Sequence, residues 1–108
     1  NRRYEGLGGS PFYKPAAYGA TKAAIQNLAQ YLACHWGPSG VRVNAVCFGV
    51  MESEQHNPGW KERMAQAIPL GRLAKAGEWD GIIQFLLSDE SSYITGATIV
   101  VDGGMTAW

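Results

Sequence analysis

No excess of charge of either sign is present: nine Lys and Arg are matched by nine Asp and Glu, for a formal net charge of zero. Nucleic acid and anionic membranes both call for a basic surface, so neither is the main partner. No apolar run approaches the roughly 18 residues of a membrane span, and the opening NRRYEGLGGS lacks the apolar centre of a secretion signal. Cysteine is scarce. Cys34 and Cys47 stand alone, without a CxxC or metal-ligand spacing, so the expectation is two buried, reduced thiols in a cytoplasmic protein. His35 and His56 also lack partners at metal spacing, and no metal is expected. The first residue is not methionine, and the chain is expected to be processed, trimmed or part of something longer. No internal repeat or low-complexity tract occurs.

What is present is enough for one small domain. Apolar residues make up 46% of the 108 residues, although a domain of this size buries only about two-thirds of its unfolded surface. Residues 1–15 read as loop, with glycines at 6, 8 and 9 and prolines at 11 and 15. From residue 17 the spacing turns helical, with Ile25, Leu28, Leu32 and Trp36 three or four apart and Ala24, Ala29 and Ala33 beside them. Gly37 and Pro38 end that helix. A strand follows over 41–47, then a polar loop, FGVMESEQHNPGW, and a short helix over 60–68 stopped by Pro69 and Gly71. A second strong helix starts near Glu78, with Trp79, Ile82, Ile83, Leu86 and Leu87 on its buried side. ATIVVDGG forms a last strand and MTAW a tail.

The order helix, strand, loop, helix, strand is that of βαβ units, so the fold class is α/β. The strand over 41–47 is apolar on both faces, as a strand of a parallel sheet covered by helices would be. Two strands do not make a stable parallel sheet, and the chain reads as a single partial domain, half of a larger sheet.

The stretch AAYGATKAA places Tyr18 and Lys22 one helical turn apart, on one side of the helix. A phenol, with a reference pKa of about 10, exchanges protons poorly at neutral pH, and a nearby cation favours its charged form. Such a pair can serve as a general acid or base. The spacing arises readily by chance, however, and a surface lysine lying over a half-buried tyrosine is the alternative. Asn44 reads as a side chain that satisfies backbone groups, and Asp102 as a turn residue. The four tryptophans read as core, lid and interface surface.

The ordered set YGATKAA, GVRVNAV, FGVMES, IPLGRLAKAGEW, FLLSDESSYITG and IVVDGG resembles the C-terminal half of the short-chain dehydrogenase/reductase family, closest in style to 3-oxoacyl-carrier-protein reductases and sugar or polyol dehydrogenases. The resemblance runs from about residue 15 to residue 104. It implies the C-terminal half of a Rossmann-type doubly wound parallel sheet and NAD or NADP as cofactor. Tyr18 matches the family's catalytic tyrosine. Lys22 matches the lysine that lowers the tyrosine's pKa and bonds the nicotinamide ribose. Phe48 and Gly49 stand where Pro-Gly is usual, Ser53 where a threonine contacts the cofactor, and the backbone of Val50 and Met51 where the nicotinamide carboxamide is met. The resemblance further implies a small carbonyl or alcohol substrate, a mobile lid over 49–68, and a homo-oligomer, dimer or tetramer, joined through the 17–36 helix, the Glu78 helix and the last strand.

Three parts of the family pattern are missing. No Gly-rich turn follows a first strand, and GLGGS at residues 6–10 has no strand before it. The active-site asparagine of an upstream helix is absent. Thirteen residues before Tyr18, where the catalytic serine is usual, stands Glu5, and Ser10 is too near to take the role. The expectation is a truncated chain whose parent is an oxidoreductase and which alone catalyses little. The competing reading is an inactive association module that joins itself or a complementary N-terminal half.

Overall fold

The computed structural model describes residues 16–107, with side chains described from residue 17 onward. The loop reading of 1–15, the glycines at 6–10, Glu5, Ser10 and Trp108 lie outside the described residues. The elements are α1 (Ala16–Trp36), β1 (Ala45–Phe48), α2 (Pro58–Gln66), α3 (Asp80–Leu87) and β2 (Thr98–Val101). β1 and β2 pair in parallel, Ala45 opposite Thr98 and Phe48 opposite Val101. The expected α/β order and the parallel pairing are both present.

α1 is 21 residues long and ends in a single 3₁₀ turn, Gly37–Ser39. Gly40 then takes a left-handed φ of 76° and its N–H bonds the Gly37 carbonyl, a conformation that costs glycine little. Two contacts orient the helix. The Gln26 side-chain amide lies 3.2 Å from Cys47 Sγ, late in β1, while Ala33 lies against Gly96, just ahead of β2. α1 therefore runs antiparallel to both strands. At 1.5 Å per residue, Tyr18 sits roughly 12 Å beyond Gln26, past the strands' carboxyl ends.

The approach to β1 is held by side chains. Arg42 donates to the carbonyls of Leu86 (2.9 Å), Ser88 (3.1 Å) and Ile94 (3.3 Å), the first two at the C-terminal end of α3, where a cation also meets the helix dipole favourably. Asn44 donates to the Ile94 carbonyl at 2.9 Å and accepts from the Ala97 amide at 3.0 Å. Its expected backbone-satisfying role is thus met. Ser91, fully buried, donates from Oγ to the carbonyls of Leu86 and Ser88.

Several boundaries and burials differ from expectation. The strand expected over 41–47 is laddered only from Ala45, because its partner segment turns at Gly96 (φ 71°) and cannot extend the ladder; Val43 bonds Thr95 Oγ1 and Gly96 N instead. α2 begins two residues before the expected start, since Asn57 Oδ1 caps Trp60 N at 2.8 Å and Pro58 occupies the first turn. α3 begins at Asp80 with Trp79 as its cap residue, Glu78 being engaged elsewhere. Leu87, expected inside, is 81% exposed, and Ile25 and Leu28 are 54% and 53% exposed while Ala29 and Ala33 are buried. Close packing of α1 on β1 selects the alanine stripe, and a two-stranded sheet leaves the larger residues uncovered. Cys34, expected buried, is exposed; both thiols are free.

Candidate active site

Lys22 Nζ lies 5.6 Å from the centroid of the Tyr18 ring. The i, i+4 spacing thus brings ammonium and phenol together, on the turn of α1 that projects past the strands, with Tyr18 44% exposed. A Cβ built on the neighbouring Gly19 would meet nothing within 4 Å, so open space adjoins the pair.

The segment leaving β1 reaches the same rim. Gly49 N donates to the Val101 carbonyl at 2.9 Å, continuing the ladder. Beyond it, Ala74 N donates to the Val50 carbonyl (2.9 Å) and Glu52 N to the Ala74 carbonyl (2.8 Å), a parallel bridge centred on Met51. Because adjacent residues of an extended strand alternate their bonding edges, the N–H and C=O of Met51 are directed away from Ala74. Ser53 Oγ accepts from Gln55 N at 3.2 Å, and a hydroxyl that accepts can still donate. Phe48 stacks on Trp79, ring centroids 4.4 Å apart, anchoring the end of β1 to the start of α3.

The following segment carries α2. Its rest position is held by the His56 and Trp60 rings (4.1 Å), the exposed ion pair of Lys61 with Glu52 (3.4 Å), and buried Met64 and Ile68. His56 Nδ1 is buried without a hydrogen-bond partner, and no cluster of metal-binding side chains occurs among the described residues.

A cleft of about 150 Å³ opens beside this segment, lined by Gly49, Val50, Leu70, Trp79, Val101 and Asp102 among others. Tyr18, Lys22, Met51 and Ser53 do not line it. The expected site residues therefore fall into two groups on one rim, the pair on α1 and the segment 48–53. Sequence reasoning gave Arg72 no role and took Glu78 only as a helix start and Trp79 only as a buried helix residue, without their contacts to Arg72 and Phe48. Their only sequence signal is the run of charge and turn residues in GRLAKAGEW.

Arg72 donates to Glu78 from both terminal guanidinium nitrogens at 2.7 Å, and Lys75 N donates to the same carboxylate. The Arg72 hydrogen bond, then the Lys75 amide, hold the Glu78 carboxyl down at about 2 instead of 4.5. A depressed carboxyl stabilises the fold above its ordinary value and loses that contribution as pH falls. Melting of wild type and Glu78→Gln over a pH series should therefore differ most above pH 4.5 and converge as pH approaches about 2. The difference is small and salt-sensitive, since both side chains are exposed.

A family profile described as enoyl-(acyl carrier protein) reductase matches residues 4–106, nearly the whole chain. The chain belongs to the short-chain dehydrogenase/reductase family. Over 101 residues it is 46% identical to oxidoreductase UcpA of Escherichia coli (strain K12), covering 83% of this chain and 38% of that protein. Among solved structures, a 4-hydroxyisoleucine dehydrogenase complexed with NADH is similar at a TM-score of 0.81 and 30% identity, over 90% of this chain and 43% of its own. A gluconate 5-dehydrogenase from Burkholderia cenocepacia J2315, in complex with NADP and tartrate, is similar at 0.81 and 28%, over 91% and 41%. The chain thus spans about two-fifths of the length of these three proteins, and its two strands are part of a Rossmann-type sheet.

Proposed function

We propose that this chain is the proton-handling, C-terminal part of an NAD- or NADP-dependent oxidoreductase that interconverts a small-molecule carbonyl and a secondary alcohol. The observation that carries this reading is the Lys22 ammonium held over the Tyr18 ring, on a helical turn beyond the carboxyl ends of parallel strands, where open α/β sheets receive ligands. The groups present fit a nicotinamide nucleoside. Lys22 offers donors for ribose hydroxyls, Met51 offers one backbone donor and one acceptor to a carboxamide, and Ser53 offers a hydroxyl to an amide or phosphate. Gly49 lets this backbone come close. Val50, whose carbonyl is engaged by Ala74, contributes less than Met51.

When bound, the nicotinamide supplies or accepts the hydride. Tyr18 gives a proton to the substrate oxygen in reduction and takes one in oxidation. Lys22 places a positive charge beside the phenolate that results. The segment 49–68, with α2, closes over the site and excludes water. Related proteins bind NADH in one case and NADP in another, and either suits these residues. The protein works in the cytoplasm as a dimer or tetramer, joined through α1, α3 and β2; no described helix is long and apolar enough to cross a membrane.

A second reading concerns this chain by itself: inactive, and associating with its own copies or with a complementary N-terminal half. It is favoured by the exposed apolar residues of α1, with Tyr31 63% exposed beside Ile25 and Leu28, and by Val100 at 52% on β2. Titration with NADH and NADPH, followed by nicotinamide fluorescence, tests both. No binding by this chain, and binding restored by a Gly-rich N-terminal half, is the expected result. Failure of the reconstituted pair to bind either nucleotide would count against the oxidoreductase.

A further inference from the structure

Both ends of the segment that carries α2 rest on one turn. At its start, a Cβ built on Gly49 would lie 2.7 Å from Asp102 Cα and 3.0 Å from Asp102 Cβ, so the two backbones touch more closely than any side chain permits. At its end, Leu70 N donates to the Gly103 carbonyl at 3.2 Å. Gly103 has a φ of 67°, and a Cβ there would lie 2.7 Å from Ile68 Cγ2. The neighbouring Gly104 meets Pro69 in the same way.

The turn is in turn shaped by the Asp102 carboxylate. One oxygen accepts from Gly104 N at 2.9 Å and the other from Thr106 N at 2.8 Å. Burial alone would raise the Asp102 carboxyl, but the hydrogen bonds from Thr106, Gly104 and Met105 outweigh it and leave it below its ordinary value. The carboxylate is therefore engaged as an acceptor in the resting fold, not held ready to exchange protons.

We propose that the turn at 102–104 is the common seat of both ends of the segment 49–68, and that Asp102 is a positioning residue: through Gly49 and Ile68 it sets where the backbone of Met51 and Ser53 stands. Its bearing on the cofactor rests on the functional reading above; the seat itself does not. The Asp102 carboxylate is engaged by the turn's own amides, Gly104 N and Thr106 N. It holds the platform from which 49–53 extends, and the cleft of about 150 Å³ between that platform and Trp79 gives the segment room to shift when the seat is loosened.

Hydrogen exchange of the complete enzyme tests the seat without catalysis or cofactor. Asp102→Ala should speed exchange at least tenfold in peptides covering 49–53 and 68–74, while those covering 43–47 and 96–98, held by Asn44, stay as in wild type. Asp102→Asn, which keeps an acceptor for Gly104, should restore most of the protection. Gly49→Ala should reproduce the local pattern from the other side of the contact, and serves if Asp102→Ala fails to fold. In steady-state kinetics Asp102→Ala should raise KM for the nicotinamide about tenfold with kcat within threefold. Equal acceleration in all four peptides would mark a general loss of stability and overturn the proposal, as would unchanged exchange in 49–53. Local acceleration with an unchanged KM would overturn the positioning role, whereas failure of the functional reading would show separately, as full turnover by Tyr18→Phe.

Discussion

Tyr18→Phe in the complete enzyme is expected to lower turnover by about 10²- to 10⁴-fold, the usual contribution of a positioned acid or base, while nicotinamide affinity stays within a factor of about two. The substitution removes one oxygen and keeps the ring on which Lys22 lies, so the cation keeps its place and the surroundings change little. Lys22→Met should behave differently. On the proposed reading it removes the charge beside the phenolate and a donor to the ribose together, so turnover and affinity should both fall. Steady-state rates with a nucleotide-binding titration separate the two patterns. Full turnover by Tyr18→Phe would remove Tyr18 from proton transfer and with it the proposed chemistry.

The largest effect on stability is expected where Arg42 and Asn44 hold the turn at 94–97. Asn44→Leu leaves the Ala97 amide without its acceptor and removes one of two donors from the Ile94 carbonyl. The part-buried Ala97 amide is then the group left unpaired, at a cost of about 1–3 kcal/mol. Arg42→Met strips the carbonyls of Leu86 and Ser88 of their charged donor, with a loss of about 2 kcal/mol or more. Both side chains bond the Ile94 carbonyl, so the double variant should be non-additive. Urea denaturation of the four proteins measures all three quantities. Strict additivity would mean that the shared carbonyl couples nothing.

The elements were legible where local chemistry decides them. The helix over 17–36, its glycine stop and the parallel strand at 98–101 follow from apolar spacing and turn residues alone. The start of α2 was misread because HNPGW looks like loop, yet Asn57 and Pro58 are good openers of a helix. The first strand was overextended because Val41 and Val43 favour strands, whereas ladder length is set by the partner, which turns at Gly96. Burial was the least legible property: Ile25, Leu28 and Leu87 carry core side chains, but the two strands described leave them uncovered.

In the site, the proximity of Tyr18 and Lys22 needed only helical periodicity. The support of the rim did not show in the sequence, since it depends on contacts across long separations: Phe48 with Trp79, Val50 with Ala74, Gly49 with Asp102. The pattern DGG marks Asp102 as a turn residue, which is correct for its carboxylate and silent about the backbone pressed against it. No local pattern reports such a neighbour.

The bond between Asn44 and Ala97 ties together positions 53 apart in sequence, and inside that span the bonds of Val50 and Glu52 with Ala74 close a second, shorter loop over 53–73. The entropy of closing a flexible loop rises only with the logarithm of its length, about 0.6 kcal/mol for each doubling. Insertions at the exposed Glu54 and Gln55 should therefore cost the scaffold little, provided the Asn57 cap and buried Met64 are left alone. Chain length can drift at that one point while the clasp and the bridge stay where they are.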